Sequence, residues 1–163
     1  MQLSQDPNYP TVKGDKVILK QIALSDLGDI MEICYYDGVL PSTQIETIET
    51  LEKIYKDYLN GEAIHWGIYD SQSMQIVGTC GYYRGFKDNA GELGCILLPD
   101  YYGKGYMTQA LQQAIDYGKS NLKLKRIFAI TKQDNKKAIE LLQRLNFIEI
   151  QNLDDNCVEF DLK

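Results

Sequence analysis

The feature that most constrains the fold is a strand, loop and helix unit in the middle of the chain. In GELGCILL (Gly91 to Leu98) a short apolar run leads into Pro99 and Asp100, then into two glycines around Lys104. Behind them Met107, Ala110, Leu111, Ala114, Ile115 and Gly118 recur at i, i+3, i+4, i+7, i+8 and i+11, one continuous apolar stripe along a helix. A strand and an amphipathic helix this close in sequence bury their apolar faces together, so the chain is committed to a sheet covered by helices.

The remaining elements extend that plan. KVILKQI (Lys16 to Ile22) is β-branched and apolar and predicts a strand, followed by Ser25 as the cap of a helix through DLGDIMEIC. Ile48, Leu51, Ile54, Tyr55 and Tyr58 predict a second helix, closed by Gly61. AIHWGIYD and QIVGTCGYYRGF read as strands joined by the turn DSQSM, and RIFAI as a strand before the helix DNKKAIELLQRLNF. Ala138, Leu141, Leu142 and Leu145 form that helix's inner face, Asp134 or Asn135 caps it, and Asn146 suits the left-handed residue that closes it. FIEIQ and CVEFDL alternate as a last pair of strands. No repeat or long linker interrupts the series, so one α/β domain over 1–163, with 1–10 as a tail, is expected.

Composition narrows the function classes. The 163 residues are 44% hydrophobic and 25% charged, ordinary for a globular protein. A net charge of -6 argues against sequence-independent nucleic-acid binding, which needs a positive footprint. No apolar run reaches membrane-spanning length and MQLSQDPNYP lacks the pattern of a signal peptide, so no membrane partner and a cytoplasmic location are expected. Cys34, Cys80, Cys95 and Cys157 lie far apart beside a single histidine, a poor set of metal ligands, and free thiols are expected with no metal.

Three kinds of phosphate site place glycine and lysine between a strand and a helix. A Walker A loop needs Ser or Thr after its lysine, and Lys104 is followed by Gly105. A dinucleotide fold needs a third small residue where Thr108 stands and a carboxylate about 20 positions on, where NLKLKR has none. The third kind is a diphosphate held by backbone alone. Gly103 and Gly105 allow the N–H groups from Tyr102 to Met107 to converge at the positive end of the following helix, with Lys104 at the rim.

YYGKGYMTQAL is similar to the phrase YWGKGYMTEAL of RimJ/RimL-type acetyltransferases, a branch of the GCN5-related N-acetyltransferase (GNAT) superfamily. In the family's loop pattern Tyr102 stands where Arg or Gln is usual and Met107 replaces a final small residue, both as in this branch. KVILKQIALSDLGDIMEI, GELGCILLPDYY and DNKKAIELLQRLNF resemble further family blocks, so the likeness spans nearly the whole chain. It implies a mixed, mostly antiparallel sheet of about seven strands flanked by about four helices. It also implies that the strands Glu92 to Leu98 and Arg126 to Ile130, the family's fourth and fifth, splay apart around the pantetheine arm of acetyl-CoA.

The resemblance assigns the cofactor to Tyr102, Gly103, Lys104, Gly105, Tyr106 and Met107 through the pyrophosphate, to the backbone of Leu97 and Leu98, and to Asn135. An N–H between Cys95 and Leu97 would polarise the thioester carbonyl. Glu92 matches a family glutamate and is the expected base, with an ordinary ion-paired carboxylate as the competing reading. Deprotonating a lysine-like amine at pH 7 costs about 4 to 5 kcal/mol, but an α-amine only about 1 kcal/mol. The family's proton donors to the departing thiolate are replaced by Ala138 and Leu142, which leaves a non-catalytic coenzyme A binder as the alternative to a transferase. Tyr35, Tyr36 and Tyr82 are expected at the acceptor pocket, and the same role or core packing is open to Tyr83. His65 and Cys95 are expected to be structural. The acceptor is a protein N-terminus or a small-molecule amine, and a homodimer is the default by frequency.

Overall fold

In the computed structural model, which describes residues 5–163, the alternating segments supply eight strands. They are β1 (Val12–Lys13), β2 (Val17–Lys20), β3 (Ile64–Asp70), β4 (Ile76–Tyr83), β5 (Ala90–Leu97), β6 (Arg126–Lys132), β7 (Phe147–Leu153) and β8 (Cys157–Leu162). They form one sheet in the order β1-β2-β3-β4-β5-β6-β8-β7. Every neighbouring pair is antiparallel except β5 and β6, which run parallel. The strand beyond the expected seven is β1, whose two residues are too few to leave a period in the sequence.

Helices cover both faces. The helices are α1 (Leu27–Ile30), α2 (Gln44–Leu59), α3 (Tyr106–Ser120) and α4 (Lys136–Arg144). The stripe on α3 is buried at Ala110, Leu111, Ala114, Ile115 and Gly118. It packs with Trp66, Ile68, Tyr82, Leu93 and Phe160 on one side of the sheet. On the other side Ile30, Ile33, Leu51 and Ile54 pack against Tyr69 and Ile76. Helix α2 starts before its apolar stripe because Thr43 Oγ1 accepts from the Glu46 N–H (3.2 Å) while the Glu46 carboxylate accepts from the Thr43 N–H (3.2 Å). This reciprocal cap satisfies two otherwise orphan donors. At the far ends Gly61 and Asn146 take the expected positive φ, 72° and 66°.

Two local expectations need correction. Ser25 caps no helix: Asp26 ties the turn instead, accepting from the Ala23 N–H (3.1 Å) and the Tyr69 hydroxyl (2.6 Å). The helix behind it is only the four residues of α1, with low-propensity Gly28 inside it. The segment expected as a tail is anchored where it is described, residues 1–4 lying outside the described residues. Tyr9 is 5% exposed; its hydroxyl donates to the His65 carbonyl (2.8 Å) and accepts from the His65 N–H (3.1 Å). A side chain thereby satisfies backbone groups on β3.

The closest approach between helix and sheet is at Tyr82, which is 0% exposed and donates its hydroxyl to the Ala114 carbonyl (2.8 Å). A Cβ on Gly118 would lie 2.3 Å from that hydroxyl oxygen. Gly118→Ala is therefore expected to lower stability by about 1 to 3 kcal/mol in chemical denaturation, although alanine is the better helix former. Unchanged or raised stability would mean that Tyr82 can yield.

Candidate active site

The parallel pair β5 and β6 is in register only at Ala90–Arg126, Gly91–Ile127 and Glu92–Phe128. Beyond Glu92 the strands part, each keeping its outer neighbour: β5 stays paired with β4 as far as Leu97, and β6 with β8 as far as Lys132. Arg126 reinforces the second pairing through ion pairs to Glu159 and Asp161 of β8. The direction of each backbone group follows from one bond. Leu98 donates its N–H to the Val77 carbonyl (2.8 Å), and residues facing each other alternate between bonded and unbonded pairs in an antiparallel ladder. Ile96, Gly94 and Glu92 therefore bond to β4, whereas the N–H and C=O of Cys95 and Leu97 point away from it, into the gap. Leu97, expected to bond the pantetheine, thus has its N–H and C=O turned into the gap. Leu98 does not: its N–H is committed to Val77, and its carbonyl accepts from the Tyr101 N–H (3.0 Å).

Because the two strands are parallel, their C-terminal ends lie on one side, and each leads to a helix N-terminus. After β5 the chain runs through Tyr102 (φ -61°), Gly103 (φ 71°) and Gly105 (φ 80°) into α3. Backbone alternating in this way turns successive N–H groups into one concavity. Nothing lies within 4 Å of a Cβ placed on Gly103 or Gly105, so the constraint on both is the positive φ itself. Gly105 is the N-cap of α3 and supplies no side-chain acceptor, so the first-turn donors at Tyr106 and Met107 keep no cap of their own. A diphosphate held by backbone fits this arrangement. Tyr102 contributes less than expected, since its N–H is spent on the Pro99 carbonyl (3.1 Å).

Side chains around the loop are more committed than their types suggest. Lys104 donates to the Asp100 carbonyl (2.9 Å). Tyr106 donates its hydroxyl to Asp70 (2.7 Å), fastening the start of α3 to the end of β3. The Ser73 N–H and that hydroxyl hold the Asp70 carboxyl down at about 2. Met107 packs against the core. Asn135, not Asp134, caps α4, its side-chain oxygen accepting from the Ala138 N–H (3.2 Å), which leaves its amide N–H groups for a ligand at the end of β6. Lys137, which the sequence motif does not single out, places its ammonium 5.2 Å from the Tyr102 ring and adds a cation beside the loop.

On the α1 and α2 side a cavity of about 640 Å³ opens beside the gap, reaching Cys95 and Ile96 of β5 and Ile130 of β6. Its walls include Tyr35, Tyr36, Asp57, Tyr83 and Glu92. Tyr35 is exposed, and Tyr36 donates to Asp57 (2.8 Å). Tyr82 is not at this cavity, since it faces α3; alternation along β4 turns Tyr83 inward instead. Glu92 reaches the cavity with its side chain 12% exposed and is ion-paired with Arg84 through Oε1. The Cys95 thiol is pushed up to about 12 by burial, so it remains a thiol at neutral pH and is no nucleophile.

Solved structures of known proteins share this overall fold, and a family profile matches the sequence. The profile of the acetyltransferase (GNAT) domain matches residues 16–148. The chain belongs to the GNAT acetyltransferase family. An uncharacterized N-acetyltransferase, p20, of Bacillus licheniformis is 29% identical over 146 residues, 84% of this chain and 82% of its own. The spermidine N(1)-acetyltransferase of Vibrio cholerae is 23% identical over 105 residues, 64% of this chain and 61% of its own. The solved structure of a putative ribosomal-protein-serine acetyltransferase from Vibrio cholerae superposes with a TM-score of 0.81 at 19% identity, covering 96% of this chain and 98% of that one. The protein is thus an acetyl-transferring enzyme, in a family that uses acetyl-CoA. Among the described residues no helix is long and apolar enough to cross a membrane, and no cluster of His, Cys, Asp and Glu is placed to hold a metal.

For a GNAT enzyme the lone histidine is an obvious candidate base, but its surroundings argue otherwise. His65 is 2% exposed, lies edge-on between Tyr36 (5.7 Å) and Tyr83 (5.5 Å), and neither ring nitrogen has a hydrogen-bond partner. Burial pulls its pKa from 6.5 to about 4, so it is neutral at physiological pH. Between pH 6.5 and 4 the unfolded chain takes up a proton that the folded protein refuses. Stability should therefore fall as pH drops through that window, by about 1.4 kcal/mol per unit, and this component should level off below it. In urea titrations wild type should lose about 3 kcal/mol relative to His65→Leu as pH falls across the window; parallel profiles would mean that folded His65 finds a proton partner.

Proposed function

We propose that the chain moves the acetyl group of acetyl-CoA directly to a primary amine that enters from the cavity beside β5. The observation that carries this reading is the gap beyond Glu92, where the Cys95 and Leu97 backbone faces no strand. Gly103, Lys104, Gly105, Tyr106 and Met107 would hold the pyrophosphate, with Lys137 adding charge and Asn135 bonding along the pantetheine. When bound, acetyl-CoA supplies a thioester whose carbonyl needs polarising, and the Cys95 or Leu97 N–H is the donor aimed into the gap.

The amine must be neutral to attack. Glu92 lines the cavity on the same strand as those donors, and Arg84 takes only its Oε1, leaving Oε2 to receive the proton directly or through water. Cys95 stays protonated, so transfer needs no acyl-enzyme on this chain. Ala138 and Leu142 offer no proton to the departing thiolate. A thiol with pKa near 8.5 leaves as the anion and is protonated by water. The carboxylates of Asp37, Asp57, Glu62 and Glu92 outnumber Lys53 and Arg84 around the cavity, which favours a cationic acceptor over a neutral or acidic one.

Two substitutions separate the parts of this scheme. Gly105→Glu sets a charged side chain into the loop and should abolish acetyl-CoA binding by calorimetry; normal binding would remove the pyrophosphate from this loop. Glu92→Gln should slow turnover in a thiol-release assay by about a hundredfold with cofactor affinity unchanged. An unchanged rate would reduce Glu92 to a partner of Arg84.

A further inference from the structure

The acceptor cavity carries its own cation. Lys53, on α2, sets its ammonium 2.7 Å from Asp57 Oδ2, 3.4 Å from Asp37 Oδ2 and 5.1 Å from the centroid of the Tyr36 ring. All four residues line the cavity. The three contacts come from different places: Asp57 lies one turn further along α2, and Asp37 and Tyr36 belong to a tight hairpin before it. That hairpin is closed by Tyr36 and Val39, which exchange backbone bonds of 2.9 and 3.0 Å, with Asp37 at φ 52° and Gly38 at φ 83° in its turn. Asp57 Oδ2 is fixed a second time by the Tyr36 hydroxyl (2.8 Å).

A helix-surface pair alone would mean little, and a lysine placed four residues before its acid is the weaker orientation for one. The convergence of two carboxylates and an aromatic face on one ammonium is instead the arrangement by which proteins bind alkylammonium groups. Its present occupant is half in solvent, with the Lys53 side chain 50% exposed, whereas the Asp57 side chain is 16% exposed. Asp57 and Tyr36 are built into the wall, whereas the Asp37 side chain, 62% exposed, and the lysine reach toward solvent.

We propose that Asp37, Asp57 and Tyr36 form an ammonium subsite of the acceptor cavity and that Lys53 fills it, making Lys53 a specificity determinant against acceptors with a second positive charge. This rests on the assignment of the cavity to the acceptor. The distal ammonium of a diamine must displace Lys53, so it exchanges one ion contact for an equivalent one. A monoamine needs only the region near Glu92 and the gap and leaves Lys53 in place. Removing the lysine frees the subsite and its two negative charges for the acceptor.

The test compares straight-chain α,ω-diamines, from diaminopropane to diaminohexane, with the monoamines of the same chain length. Binding is measured by calorimetry in the presence of coenzyme A, and acetyl transfer separately from acetyl-CoA. Lys53→Met should raise the ratio of diamine to monoamine affinity about five- to tenfold for at least one chain length. Lys53→Gln should do the same, and adding Asp57→Asn to either should erase the gain. A ratio unchanged in both lysine variants, or an equal gain for monoamines, would overturn the proposal. Transfer to monoamines without any diamine gain sinks the subsite alone. A diamine gain with no transfer to any amine sinks the assignment of the cavity to the acceptor and leaves the subsite standing.

Discussion

The site depends on a parallel strand pair that stops pairing after three residues. Beyond Glu92 and Phe128 the inward N–H and C=O groups of β5 face no strand, and buried backbone groups in that condition cost of order 1 to 3 kcal/mol each unless something else bonds to them. The separation survives because each strand keeps its other neighbour, β4 or β8, and because Arg126 bonds across to β8. A cleft lined by backbone can accept a ligand that brings its own amides and carbonyl, and it makes little demand on which side chains surround it.

The parallel direction has a second consequence. Both strands end on the same side, so the N-termini of α3 and α4 are delivered together beside the opening, each presenting unpaired N–H groups and the positive end of a helix dipole. Gly105 leaves the first of these without a side-chain acceptor, while Asn135 satisfies one donor of the second from its own side chain. One helix end is thereby left with uncapped donors and the other is largely self-sufficient.

Across the sheet, the cavity side is polar and several of its charges are paired. Glu92 holds Arg84, Asp57 holds Lys53 and Tyr36, and neutral His65 lies between Tyr36 and Tyr83 beneath them. Such pairing avoids leaving Glu92 and Asp57 without partners in a half-buried cavity.

Much of this was legible in the residues. Periodicity marks the strands and the face of α3, and Gly103, Gly105, Gly61 and Asn146 fall where the chain needs positive φ, because these preferences are local. The loop's backbone course was legible for the same reason, since it depends on a few adjacent residues. What escaped is what depends on long-range pairing. Whether Tyr82 or Tyr83 faces the cavity is a matter of strand parity, and Leu98 lost its expected role because its N–H belongs to Val77. Tyr9 left the expected tail because its hydroxyl bonds the His65 backbone, and Lys53 entered the cavity wall beside Asp37, which a hairpin brings to it. The sequence by itself determined which segments are strands and helices and where the backbone turns to positive φ, because short-range sterics and side-chain period decide those. Only the tertiary structure decided which donors remain free and which charges are already paired, because each hydrogen bond or ion pair is settled by a partner distant in the chain.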